Sequence, residues 1–322
     1  MKYFLGIDIG ATKTAAMITD ENGNQIGTGQ SGPGNHENVG FDGMQIAIRE
    51  AMNGAIHNAK IQMDQITASG FGIGGYDWPA EEPHMQKVIN NLGLSTPYKI
   101  VNDVVLGLLA GTSAGWGVAV VSGTGCNCRG LDKEHKFEGR VTGYGILMGE
   151  NAGASELINH AMQIIGYSWT KRLPHTALAN TFIEHVGAKD LEDLIEGYTN
   201  GHYVIGADMA PLVFQTAEQG DAVAQGIVKW AGVELGEMAN AVIRQLNFEN
   251  LEFEVALIGS MFMSGEPLIA PMRETIHTIA PNAKLIRTEV KPVVGAVLLG
   301  MEAGGLILTV EQRNQIKISL AR

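Results

Sequence analysis

Cysteine is nearly missing from this chain: two in 322 residues, Cys126 and Cys128, one residue apart in VSGTGCNCRG. So few thiols exclude a disulfide framework and fit a reducing, cytoplasmic setting. They also exclude a structural zinc site, which needs four ligands, because no partner cysteine lies nearby. The nine histidines are scattered without metal spacing, and H-E-x-x-H does not occur. Positive charge is short as well. Lys plus Arg number 22 against 34 Asp plus Glu, for a net charge of −12. That balance disfavours nucleic acid and anionic membrane surfaces as partners, since both are held by basic groups. A nucleotide needs only a local donor cluster and stays open.

Long apolar runs are few. MKYFLGIDIG is short and interrupted by Asp8, so it is not read as a signal peptide. Val104 to Cys128 carries no charge over 25 residues, yet it holds six glycines and the break GTSAGWG. It reads as a buried helix, a loop and a strand rather than a membrane span.

What the chain has in excess is glycine, 42 residues, about twice ordinary usage. Many of these glycines punctuate a strand-rich pattern. YFLGIDIG, TKTAAMITD and QIGTGQS predict three antiparallel strands, with Asn22-Gly23 turning the second into the third. Met44, Ile48, Met52 and Ile56 carry a helical spacing across residues 38–60. A strand through ITASGFGIGG, a helix over 81–92, the strand PYKIVND and the helix VVLGLLAG follow. The pattern then restarts at GVAVVSGTG. TDENGNQIG at 19–27 lies over LDKEHKFEG at 131–139, an offset of 112 that brings Gly10-Ala11-Thr12 almost onto Gly123-Thr124-Gly125. The layout repeats more than the letters do, which predicts two similar α/β lobes. The stretch 148–246 reads as mostly helical. FEVALIGS and AKLIRT read as strands, and VVGAVLLGMEAG and about 309–320 as helices. The expected lobes are 1–111 and 112–303, with a terminal helix from about 304 to 322 folding back on the first.

A Gly/Thr turn between strands points several backbone N–H groups at one spot, and such a concavity suits phosphate. Gly10, Thr12, Lys13 and Thr14 add two hydroxyls and an ammonium, and Asp8 is placed to hold the water shell of Mg²⁺. Alone, Asp8 and Gly10 could equally shape a hairpin. The second turn at the matching place in the repeat favours a polyphosphate clamped between lobes. Gly259-Ser260, after a strand and before a helix, could sit against an adenosine or be an ordinary turn. Asn102-Asp103 opens an apolar helix, so helix capping competes with general-base chemistry at Asp103. Asn35 suits a sugar hydroxyl or amide, and as readily caps the next helix. Glu150 is the one carboxylate in YGILMGE.

The ordered set resembles the actin/Hsp70/sugar-kinase superfamily of two-lobed ATPases. LGIDIGATKT and VVSGTGCNC look like its two phosphate loops, and ALIGSMFMSG like its adenosine motif. More narrowly, SGTGCNCRG, GPGNHEN, GIGGYD, VNDVVLG and GAVLLGMEAG, in that order, resemble N-acetylglucosamine kinases of the BadF/BadG/BcrA/BcrD ATPase family. The likeness spans roughly residues 4–303. It implies an actin-like α/β fold built from duplicated ribonuclease H-like lobes. It also implies an ATP-dependent, Mg²⁺-assisted kinase acting on an amino sugar, and a homodimer. Carried over, Gly10, Thr12, Lys13, Thr14, Gly123, Thr124 and Gly125 would cradle phosphates. Gly259 and Ser260 would meet adenosine, and Asp8 would act on Mg²⁺ through water. Asp103 would be the base on the 6-hydroxyl, and Asn35, Gly75, Asp103, Gly145 and Glu150 would hold the sugar. One segment departs from the family pattern. Gly143-Tyr144-Gly145 stands for Gly-Trp-Gly, and GENAGAS puts Glu150 where the family has Asp, with one residue extra. This opens glucosamine or another amino sugar as the substrate. The same family's activator ATPases, which share an iron–sulfur cluster through two cysteines per chain, are the alternative. The position of both cysteines beside a phosphate loop argues against it. Cys126 stands where the family has serine, and its thiol is expected to be sensitive to oxidation or alkylation.

Overall fold

The computed structural model describes residues 1–320; Ala321 and Arg322, part of the expected terminal segment, lie outside the described residues. The chain opens with strands β1 (Tyr3–Ile9), β2 (Thr14–Asp20) and β3 (Gln25–Ser31), followed by helix α1 (His36–Ala59). Then come β4 (Ile66–Ile73), α2 (Glu82–Asn90), β5 (Tyr98–Asn102) and α3 (Asp103–Gly111). The three strands of the opening meander pair antiparallel, and β4 and β5 add to β1 in parallel, in the order β3-β2-β1-β4-β5.

The second half repeats this plan. Strands β6 (Gly117–Ser122), β7 (Cys126–Leu131) and β8 (Glu138–Arg140) form another antiparallel meander. Helices α4 (Ala154–Trp169), α5 (Ala177–Val186), α6 (Leu191–Thr199), α7 (Ala210–Glu218) and α8 (Ala222–Leu246) follow. Then come β9 (Phe253–Ile258), α9 (Glu266–His277), β10 (Ala283–Arg287), α10 (Pro292–Ala303) and α11 (Val310–Leu320). The sheet order is β10-β9-β6-β7-β8, with β9 and β10 parallel to β6, so the two sheets share one topology. Even the hairpin chemistry repeats. Asp20 Oδ1 accepts the amides of Asn22 and Asn24, and Asp132 Oδ1 accepts those of Lys136 and Phe137, at the predicted offset of 112.

Each sheet is covered on both faces. Helix α1 lies on β2 and β3 and α8 on β6, β7 and β8, each burying an apolar stripe that includes Met44, Ile48 and Met52 in α1. The opposite faces are covered by exchanged helices. α10 packs on β1 and β4, where Gly6 and Gly70 let its backbone approach so closely that a Cβ would overlap Val297 or Ala296. α11 adds Ile316 and Leu320 to that same cluster with Phe4 and Met17. α3 buries Leu106 and Leu109 with Ala119 and Ala256 of the second sheet. α3 and α10 also touch each other, so they form the axis between the lobes. The uncharged stretch 104–128 resolves into α3, a loop, β6, a turn and the start of β7. Among the described residues, no helix is long and apolar enough to cross a membrane.

Candidate functional site

The carboxyl ends of β1, β4 and β5 deliver the first group of candidate residues to one place. Asp8 sits on β1, and the chain then turns through Gly10, whose amide donates to Lys13 O at 3.0 Å. Gly10 O accepts the amides of Gly34 and Asn35, at 3.0 and 3.2 Å, which pins the loop after β3 against the first turn. Gly74 follows β4. Its amide donates to Ile9 O at 2.8 Å, and a Cβ there would lie 3.2 Å from Asp103 Oδ2. At Gly75 a Cβ would lie 2.6 Å from Asn35 Oδ1. Asp8, Gly10, Asn35, Gly75 and Asp103 therefore share one neighbourhood. Thr12 and Lys13 stand exposed at its edge. Thr14 lies behind it, with a hydroxyl that makes no hydrogen bond. It opens β2, is fully buried, and its hydroxyl lies against Gly34.

The capping question is answered by Asn102. Its side chain accepts from Val104 N at 3.0 Å as the N-cap of α3, while its amide nitrogen donates to Tyr76 O. Asp103 also reaches Val104 N through Oδ1, which leaves Oδ2 towards Gly74. Burial, reinforced by the negative charge of Asp77, pushes Asp103 up to about 6. Burial, with repulsion from Asp103, pushes Asp8 up to about 7, against the pull of Lys13. Two carboxyls that repel each other beside an ammonium make a place where bound positive charge is favoured. Asn35 caps α1, accepting Glu37 N at 2.9 Å, while its side chain borders Gly75.

The second group forms around the β6–β7 turn. Gly123 N donates to Gly125 O at 2.9 Å, and the turn carbonyls of Gly123 and Thr124 accept from Ala154 N and Ser155 N at the start of α4. A Cβ on Gly123 or Gly125 would meet nothing within 4 Å, so the turn presents open backbone. Gly259, with φ 111°, lies so close under Ser122 that only hydrogen fits between them. Beyond it, a cavity of about 520 Å³ is lined by Ala154, Ala207, Phe214, Gln215, Ser260 and Met261 among others. Ala154 is common to the turn and the cavity, so a ligand on the turn can extend an aromatic base into an apolar slot.

The third group is a loop closed on itself. Glu150 is buried. Its Oε1 accepts from Thr142 N, Thr142 Oγ1 and Gly143 N, and its Oε2 from Gly145 N at 2.9 Å. The carboxylate that the resemblance assigns to the sugar is thus spent on holding residues 142–145. Tyr144, Ile146, Leu147 and Met148 stand exposed on that loop.

The cysteines sit behind the turn. Cys128 is fully buried in the second-lobe core. Cys126 Sγ accepts Ala152 N at 3.4 Å, and burial pushes its thiol up to about 11. A thiol held neutral is a poor nucleophile, so the expected reactivity of Cys126 does not follow from its surroundings. Among the described residues no group of three or more His, Cys, Asp or Glu is arranged for a metal ion.

A family model matches residues 5–300, described as the BadF/BadG/BcrA/BcrD ATPase family. This chain belongs to that family. It is 27% identical over 316 residues to the N-acetyl-D-glucosamine kinase of Dictyostelium discoideum, covering 94% of this chain and 98% of that one. It is 26% identical over 304 residues to the N-acetylmuramic acid/N-acetylglucosamine kinase of Clostridium acetobutylicum, covering 93% and 98%. Among solved structures, the ROK family glucokinase of Streptomyces griseus superimposes with a TM-score of 0.57 at 20% identity, covering 93% of this chain and 99% of that one. The shared architecture is the two-lobed, actin-like α/β fold that the resemblance implied, with the two lobes that the repeat predicted.

Sequence reasoning missed two residues at the meeting point of the groups. Asp77, in the loop after β4, pairs at 2.5 Å with Arg129 of β7, and Arg129 pairs at 2.6 Å with Glu138. Both lay inside quoted motifs, GIGGYD and SGTGCNCRG, but their partnership is a property of the folded chain.

Proposed function

We propose that this protein is an ATP-dependent kinase that phosphorylates the 6-hydroxyl of an amino sugar, with N-acetylglucosamine as its substrate. The observation that carries this reading is Asp103. It is a carboxyl raised to about 6, with Oδ2 towards Gly74, beside Asp8 and the Gly10 turn. A carboxyl in that range is ionised at neutral pH yet basic enough to take a proton in the transition state. The names of the Dictyostelium and Clostridium relatives support the substrate.

In this reading Asn35, Gly75 and Asp103 hold the sugar in the first lobe. Gly10, Thr12 and Lys13 face the phosphates from one side, and the open backbone of Gly123, Thr124 and Gly125 from the other. Gly259 seats the turn, and the base of ATP enters the cavity beside Ser260. Asp103 accepts the hydroxyl proton as the sugar oxygen bonds to the γ-phosphorus and the bond to ADP breaks. Thr14 backs the first turn from within the core, and Glu150 acts on the sugar by shaping the 142–145 loop. The crowded carboxyls Asp8 and Asp103 fit a divalent cation, which Asp8 would hold through water. Bound Mg²⁺ would neutralise charge on the phosphates.

The test is ATP consumption and sugar-phosphate formation with N-acetylglucosamine, glucosamine, N-acetylmannosamine, N-acetylmuramic acid and glucose. Turnover highest with N-acetylglucosamine is expected. A different preferred amino sugar corrects the substrate, and no sugar-dependent turnover removes the kinase reading.

A further inference from the structure

Among the described residues Arg129 is the bulkiest fully buried side chain, only 2% exposed. An arginine is not buried for stability alone, because desolvating its charge offsets much of what pairing returns. Its two ionic partners come from different lobes. Nη2 meets Asp77 Oδ1 of the first at 2.5 Å, and Nη1 meets Glu138 Oε1 of the second at 2.6 Å. Asp77 is a junction in its own right. The same Oδ1 accepts Asn102 Nδ2 at 3.2 Å, and its carbonyl accepts Arg140 Nη1 at 2.8 Å. The 142–145 loop closes over it, since a Cβ on Gly143 would lie 2.9 Å from Asp77 Oδ1.

The covalent neighbours of this pair give it meaning. Asn102 is the N-cap of α3, and the next residue is Asp103. Arg129 stands four residues after Gly125, on the strand that leaves the phosphate turn. The chain from base to turn therefore runs Asp103, Asn102, Asp77, Arg129, β7, Gly125. We propose that Asp77 and Arg129 are positioning residues that set the distance and angle between the Asp103-bound hydroxyl and the phosphate on the 123–125 turn.

This assignment rests on the kinase reading and goes beyond it. In-line transfer demands alignment, and a displacement near 1 Å costs about 10²-fold in rate. Asp77 and Arg129 also act on Asp103 with opposite charges, Asp77 the more strongly.

The experiment measures sugar phosphate formed per ATP consumed, with kcat and nucleotide affinity, for wild type, Asp77→Asn, Arg129→Met, Arg129→Lys and the Asp77→Asn/Arg129→Met double variant. Asp77→Asn keeps shape and size, so it tests the pair even where Arg129→Met fails to fold. We expect kcat to fall about 30- to 100-fold in Asp77→Asn and Arg129→Met, with nucleotide affinity nearly unchanged and partial recovery in Arg129→Lys. Sugar phosphate per ATP falls too, because water competes for a misaligned phosphate. The double variant is no worse than the poorer single, as expected of partners. A merely structural role lowers the active fraction and so lowers both products in proportion. An unchanged ratio in Asp77→Asn with an active wild type overturns this assignment alone, whereas a wild type that makes no sugar phosphate overturns the kinase reading and this assignment with it.

Discussion

At the scale of single residues, adjacent positions divide the labour. Asn102 takes the capping bond, and Asp103 is left with one oxygen towards the site. The residue pair was visible in the sequence, but the division between them was not, because it depends on which side chain finds Tyr76 and Asp77. The same limit explains Thr14 and Glu150. Their residue types suit phosphate and sugar, and only the folded chain shows one hydroxyl packed on Gly34 and one carboxylate filled by loop amides. Asp103→Asn should lower kcat by about 10³-fold while leaving nucleotide binding intact. Since the group works ionised, kcat/KM in the wild type should fall as pH drops through about 6. The sign for stability is opposite. The folded value lies above that of an ordinary aspartate, 3.8, so above about pH 6 the ionised group weighs against folding. Asp103→Asn should therefore melt higher than wild type at pH 7.5, by roughly 2 °C or more. A variant that melts lower there, or an acid limb near pH 4, contradicts the environment assigned to this carboxyl.

At the scale of elements, the glycine-rich turns were the most legible part. Alternating β-branched runs ending in glycine placed nearly every strand, and the Asp20 and Asp132 hairpins match at their expected offset. What holds the second turn in place was not legible, because it comes from elements distant in sequence. The first amides of α4 bond its carbonyls, and Gly259 tucks beneath Ser122. Gly259→Ala would force a Cβ into Ser122 O at a backbone angle that suits glycine. KM for ATP should rise about 10-fold or more, with KM for the sugar within about 2-fold, as steady-state kinetics would show. An unchanged KM for ATP would separate this turn from the nucleotide.

At the scale of the molecule, two equal sheets are tied by the exchange of their helices. α3 leaves the first sheet to pack on the second, and α10 leaves the second to pack on the first. The repeat told of two lobes, but the exchange was hidden, because VVLGLLAG and VVGAVLLGMEAG are apolar all round and favour no particular sheet. α3 and α10 pack on each other between the sheets, so closure of the cleft would turn about this contact. Gly295 of α10 meets α3 at Leu106 O, with no room for a methyl group. Gly295→Ala would wedge the pair apart at Leu106, one turn of α3 beyond Asp103. A static scaffold would lose stability and some kcat but keep its full ligand-induced compaction. A working axis would lose more. kcat should fall several-fold, and the decrease in radius of gyration on adding a non-hydrolysable ATP analogue with sugar should shrink, as small-angle scattering would report. Full compaction in Gly295→Ala would show that the lobes do not turn about this contact.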